Sequence, residues 1–89
     1  MLIDAQYPPE YRAVQAGHAV AEYMLRYPDS QWKNQYLIYL QVPDIVAWKA
    51  KLDFNEKQYA VFIEPDVGHK ITAIAVEDDG KLFRKLKLN

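Results

Sequence analysis

Glutamine and histidine stand three residues apart in Gln15-Ala16-Gly17-His18-Ala19, a spacing that puts both on one face of a helix. Later in the chain, Glu64-Pro65-Asp66-Val67-Gly68 sets an acid between two strand-like segments, and Thr72-Ala73-Ile74-Ala75-Val76 opens the second segment with a hydroxyl. Together they offer amide, imidazole, carboxylate and hydroxyl to one end of a sheet. That set suits hydrolysis by an activated water. An imidazole titrates near neutrality, so it can take a proton from water and return it to a leaving oxygen. His18 is the candidate for that role. Asp66 would orient or charge-stabilise it, Thr72 would donate a hydrogen bond to a carbonyl oxygen, and Gln15 would position the substrate.

Competing chemistries have fewer residues to draw on. Ser30 is the sole serine, in a turn after Pro28, and no Gly-x-Ser-x-Gly elbow surrounds it. Gly17, Gly68 and Gly80 are isolated, so no phosphate-cradling loop can form. His18 with Glu22, and His69 near Asp66, could in principle hold zinc or manganese. No recognised ligand spacing supports that, and His–Glu pairs at i, i+4 are common helix supports. The sequence therefore calls for no metal and no cofactor.

These side chains need elements to hold them. Pro8-Pro9-Glu10 opens a helix, and the apolar set Ala13, Val14, Gly17, Ala21, Met24 and Leu25 carries it to Tyr27. The small residues Ala13, Ala16, Gly17, Val20 and Ala21 would let it lie close against a sheet. Residues 36–42, Tyr-Leu-Ile-Tyr-Leu-Gln-Val, read as a strand buried on both faces. Pro43-Asp44 opens a second helix over residues 45–52. Strands follow at 59–63 and 71–77, joined as an antiparallel hairpin by residues 66–70. Asp78-Asp79-Gly80 is a turn, and Leu2-Ile3 is a stub of a first strand. The order β-α-β-α-β-β argues for an α/β sandwich.

Length and charge set the bounds. Eighty-nine residues make a single domain, 1–89. Cysteine is absent, which excludes disulfides and a Cys nucleophile and fits a reducing cytoplasm. The start Met1-Leu2-Ile3-Asp4 has no basic region or apolar run of a secretory signal. No apolar run approaches the ~18 residues of a membrane span, so the expectation is a soluble cytoplasmic protein with no membrane partner. The C-terminal segment 81–89 holds Lys81, Arg84, Lys85 and Lys87 for a charge of +4, leaving −5 on the remainder. Such a segment can contact phosphates; the simpler reading docks it on the body through Leu82, Phe83, Leu86 and Leu88.

These residues resemble a family. Tyr11-Arg12-Ala13-Val14-Gln15-Ala16-Gly17-His18-Ala19 is similar to the Gly-Lys-x-Ala-Ala-Gln-x-x-His-Ala signature of the archaeal/eukaryotic-type peptidyl-tRNA hydrolases. Trp32 and Leu37-Ile38-Tyr39-Leu40 match that family's Trp and following strand, Asp66-Val67-Gly68 its Asp-Ala-Gly, and Thr72-Ala73-Ile74-Ala75-Val76 its closing strand. The resemblance spans residues 10–77. It implies a three-layer α/β/α sandwich with a four-stranded mixed sheet, and cleavage of the ester joining a peptide to tRNA. Gln15, His18, Asp66 and Thr72 would then lie near the ester, and Lys81, Arg84 and Lys85 could contact phosphates. The chain departs from the family at Tyr11, which stands where the signature has lysine, and at Glu10, which stands for its glycine. Arg12 is one residue, or ~100° of helix, away. His69-Lys70 replaces the family's loop threonine, and Lys70 could restore the positive charge from another direction. Arg12 and Lys70 thus join Gln15 as candidate substrate-binding residues. A second reading keeps the fold and drops the catalysis, leaving a domain that binds RNA or a protein partner. Surface tyrosines and tryptophans also allow a homodimer.

Overall fold

The computed structural model describes residues 1–34, 36–78 and 81–88. Strand β1 (Leu2–Asp4) leads into helix α1 (Pro9–Arg26), then β2 (Leu40–Val42), helix α2 (Ile45–Phe54), and the hairpin β3 (Tyr59–Glu64) and β4 (Lys70–Val76). A two-residue strand, β5 (Lys87–Leu88), follows. The sheet order is β3-β4-β1-β2-β5. Strand β1 runs parallel to β2 and antiparallel to β4, so the sheet is mixed. The four strands read from the sequence form its body, and β5 adds a short fifth strand antiparallel to β2.

Local chemistry explains the boundaries of the helices. Pro9 occupies the first turn of α1, where its missing N–H costs no hydrogen bond, with Glu10 beside it and Arg26 in the last turn to complement the macrodipole. The Asp44 carboxylate caps α2 by accepting from the Ala47 N–H at 3.0 Å, an arrangement worth about 1 kcal/mol.

The two helices pack on opposite faces of the sheet. On one side Ala16, Ala19 and Tyr23 of α1 meet Ile3, Ala60, Ala73 and Ala75. Alanine against alanine lets the helix sit close to the strands. On the other side Ile45 and Leu52 of α2 meet Leu2, Leu40, Val42, Ile74 and Phe83. This is an α/β fold in three layers. The segment after β4 joins the second core through Phe83, with Leu82 and Leu86 packed beside it.

Several elements differ from the sequence reading. The buried stripe of α1 is Gln15, Ala16, Ala19 and Tyr23; Ala13, Val14, Gly17, Ala21 and Leu25 face solvent. The close approach to an alanine-rich sheet selects small residues and a polar clamp, leaving Leu25 78% exposed. Of the expected strand 36–42, residues 40–42 pair with β1, and among the described residues Ile38 is held through its carbonyl, which accepts from the Met1 ammonium at 2.7 Å. Tyr36, Leu37 and Ile38 remain exposed beyond the sheet. The expected turn at Asp78-Asp79-Gly80 lies in part outside the described residues, as does Asn89 of the basic segment. Among the described residues no helix is long and apolar enough to cross a membrane.

Candidate active site

Strand β4 carries the decisive local irregularity. Phe62 pairs with Ala73 and Ile63 with Ile71, so Thr72 is an extra residue with no partner on β3. A β-bulge of this kind re-aims side chains. Ala75 and Ala73 face α1 while Ile74 faces α2. Strict alternation would send Thr72 toward α2 and Ile71 toward α1. The bulge reverses both: Ile71 packs with the α2 core, and the Thr72 hydroxyl donates to the Gln15 carboxamide oxygen on α1.

Gln15 is the centre of the arrangement. Its Nε2 donates to the Glu64 carboxylate at the end of β3, at 3.0 Å. Gln15 and Thr72 are both buried, at 1% and 0% exposure, whereas Glu64 is half-buried. A buried amide left unpaired costs about 1–3 kcal/mol, so this threefold link fixes the helix, the strand end and the bulge together. Thr72 spends its one hydroxyl proton on Gln15. Its part is therefore positioning, and the hydrogen bond to a substrate carbonyl expected from the sequence is not available from this rotamer.

Tyr11 and His18 flank Gln15 on the same helix face, one turn before it and one turn after. The His18 ring is exposed and stacks on Phe62 of β3, with centroids 4.3 Å apart and planes 10° from parallel. Stacking fixes the plane of the imidazole while leaving its edge open to solvent. The Tyr11 ring tilts against Tyr7 at 5.2 Å. The Tyr11 hydroxyl is buried with no hydrogen-bond partner among the described residues. Desolvation, and then the nearby carboxylates of Glu64 and Asp66, push its pKa above the ordinary phenol value.

Asp66 lies in a single 3-10 turn, Pro65–Val67, between β3 and β4, and is exposed. The turn closes through left-handed backbone at Gly68 (φ 82°) and His69 (φ 58°), with the His69 N–H donating to the Glu64 carbonyl at 3.0 Å. Glycine takes that conformation without a Cβ penalty; histidine does so at some cost.

Gln15 and Thr72 thus meet directly, with Asp66 acting on the neighbouring Tyr11. His18 belongs to the same helix face, held by Phe62. Arg12 turns away: its guanidinium donates to the Ala5 carbonyl (3.4 Å) and the Gln41 side chain (3.2 Å), tying α1 to the ends of β1 and β2. Lys70 is exposed at the start of β4, in register with Glu64, and lines a cleft on the α2 side of the sheet. Glu64 and Phe62 are the participants that the sequence reading missed. The signal available for Glu64 was its place beside Asp66 at a strand end. For Phe62 it was the strand alternation, which puts 60, 62 and 64 on one face.

Among the described residues no group of three or more His, Cys, Asp or Glu side chains is placed to hold a metal ion. Compared with protein-family models, curated proteins and solved structures, the chain matches none.

Proposed function

We propose that this chain is an ester hydrolase of the archaeal/eukaryotic peptidyl-tRNA hydrolase type, cleaving the bond between a peptide and tRNA in the cytoplasm. The observation that carries this reading is the Thr72–Gln15–Glu64 link, which braces a helix face bearing His18 against the turn bearing Asp66. In the reaction, His18 takes a proton from water as its oxygen bonds to the ester carbonyl carbon. The bond to the ribose oxygen then breaks, and the proton returns to that oxygen. Asp66, beside Tyr11, which stands two helical turns before His18, would act on the imidazolium only at long range. Gln15 and Thr72 hold the helix and turn in register.

One observation favours a second reading, a domain of the same fold that binds without catalysis. Tyr11 stands where the signature has lysine, and its surroundings are anionic. The two readings separate in one pair of assays. Peptide release from peptidyl-tRNA that falls in His18→Ala and Asp66→Ala supports the hydrolase. Salt-sensitive tRNA binding with no release by any form supports the binding domain.

A further inference from the structure

Residues 36–38 run into β2 with a bare outer edge. Leu40 donates its N–H to the Met1 carbonyl, and the Ile38 carbonyl accepts from the Met1 ammonium. Even-numbered residues of this stretch therefore turn their backbone groups toward β1, and odd-numbered ones turn theirs outward. On the outer side β5 pairs with Leu40 and Gln41. The Leu37 N–H and C=O have no hydrogen-bond partner among the described residues.

The side chains are uncovered too. Tyr36, Leu37 and Ile38 are 83%, 45% and 53% exposed. They form one wall of an apolar groove of about 820 Å³, opposite Met24, Phe83 and Leu86. Exposed strand edges are ordinarily blunted by lysine, proline or a bulge. Tyr36-Leu37-Ile38-Tyr39 has neither charge nor proline, and its residue types favour a strand. A contiguous apolar patch of this kind marks an interaction surface.

We propose that this edge pairs with the same edge of a second copy of the chain, antiparallel across a two-fold axis at Leu37. The register follows from the hydrogen-bond pattern. Outward groups belong to odd residues, so the pairs that exchange two N–H···O bonds are 37 with 37, 37 with 39, or 39 with 39. The last two set Tyr36 or Ile38 of the second copy opposite Leu40, where Leu88 already lies. Pairing of Leu37 with Leu37 is free of that clash, because Asn34, at φ 63°, turns the chain out of its extended path first.

That register is what selects a second copy as the occupant. It sets Tyr36 of each chain opposite Ile38 of the other, in the closer, non-hydrogen-bonded pairs. Aromatic against β-branched is a favourable cross-strand pairing, and here it covers the two most exposed residues of the segment. Pairing of identical segments about a two-fold axis is isologous and closes at two chains. The surface lies at the end of β4 marked by Ala75 and Val76, away from Thr72 near its start, and does not rest on the ester reading.

The test combines sedimentation of the full chain with disulfide trapping. The native chain is expected to dimerise. Ile38→Lys should weaken dimerisation about 10-fold, because each dimer carries the change twice and loses both cross-strand pairs. Val14→Lys, at a 56% exposed position of α1, should leave it unchanged. The chain has no cysteine, so Leu37→Cys introduces a single thiol. Facing residues of a hydrogen-bonded pair lie ~5.5 Å apart at Cα, within disulfide reach. Leu37→Cys should therefore oxidise to a covalent dimer much faster than Val14→Cys. A native chain monomeric throughout the concentration series, dimerisation that Ile38→Lys does not weaken, or equal trapping at the two positions would each overturn the proposal.

Discussion

The Thr72 hydroxyl donates to the Gln15 carboxamide across the interface between β4 and α1, with both side chains removed from water. Replacing either partner strands the other. Thr72→Val is expected to destabilise the fold by about 1–3 kcal/mol, measured by urea denaturation. Gln15→Leu removes the amide itself. Combined with Thr72→Val it is expected to cost less than the sum of the two single changes, because both remove the same bond. Additive losses would mean that the two side chains do not interact.

His18 and Phe62 form a stacked pair at the edge of the candidate site. Aromatic pairs contribute about 0.5–1.5 kcal/mol beyond the area they bury. Phe62→Leu keeps an apolar side chain and loses the stack. His18→Ala should then cost less stability in the Phe62→Leu background than in the native chain, and a double-mutant cycle reads the difference. On the proposed hydrolase reading, Phe62→Leu should also slow peptide release by letting the imidazole swing, with less effect than removing His18.

Tyr11 offers a pH-dependent readout. Burial, aided by Glu64 and Asp66, raises its pKa, and burial leads the same shift at Tyr7, Tyr23 and Tyr59. Above the ordinary phenol range, about pH 10, unfolded tyrosines lose protons that the folded chain retains. The native state then binds more protons, so stability falls as pH rises. Urea midpoints measured from pH 8 to 11 are expected to be flat and then to decline. Tyr11→Phe removes a buried hydroxyl with no partner. It should leave neutral-pH stability unchanged or slightly higher and soften the alkaline decline.

Tyr11→Lys places a positive charge beside two carboxylates, as the proposed hydrolase reading would have at this position. If the site meets tRNA phosphate, the log–log salt slope of tRNA binding should steepen by about one. An unchanged slope would place Tyr11 outside the RNA contact surface.

Much of this arrangement was legible in the sequence. The order of elements, the β3–β4 hairpin and the shared helix face of Gln15 and His18 follow from spacing and turn chemistry alone. The bulge was not, because Thr72-Ala73-Ile74-Ala75-Val76 alternates as smoothly as any regular strand, and only the pairing with β3 reveals the extra residue. The buried face of α1 was misread for a related reason. Periodicity weighs Val14 and Leu25 above Gln15 and Ala19, yet an alanine-lined sheet favours the smaller side chains and a bonded amide. Residues 36–39 have strand composition, yet the pairing with β1 begins at Leu40. Glu64 looked like the routine end of a strand before proline, and its role depends on Gln15, distant in sequence.

The most direct measurement is the single-turnover rate of peptide release from a peptidyl-tRNA by the native chain and by His18→Ala, with the fold of each verified by circular dichroism. Loss of a group that carries the water's proton should slow release by ~100-fold or more. Equal rates in the two proteins, or no release by the native chain above the uncatalysed background, would contradict the assignment of this site as a hydrolase.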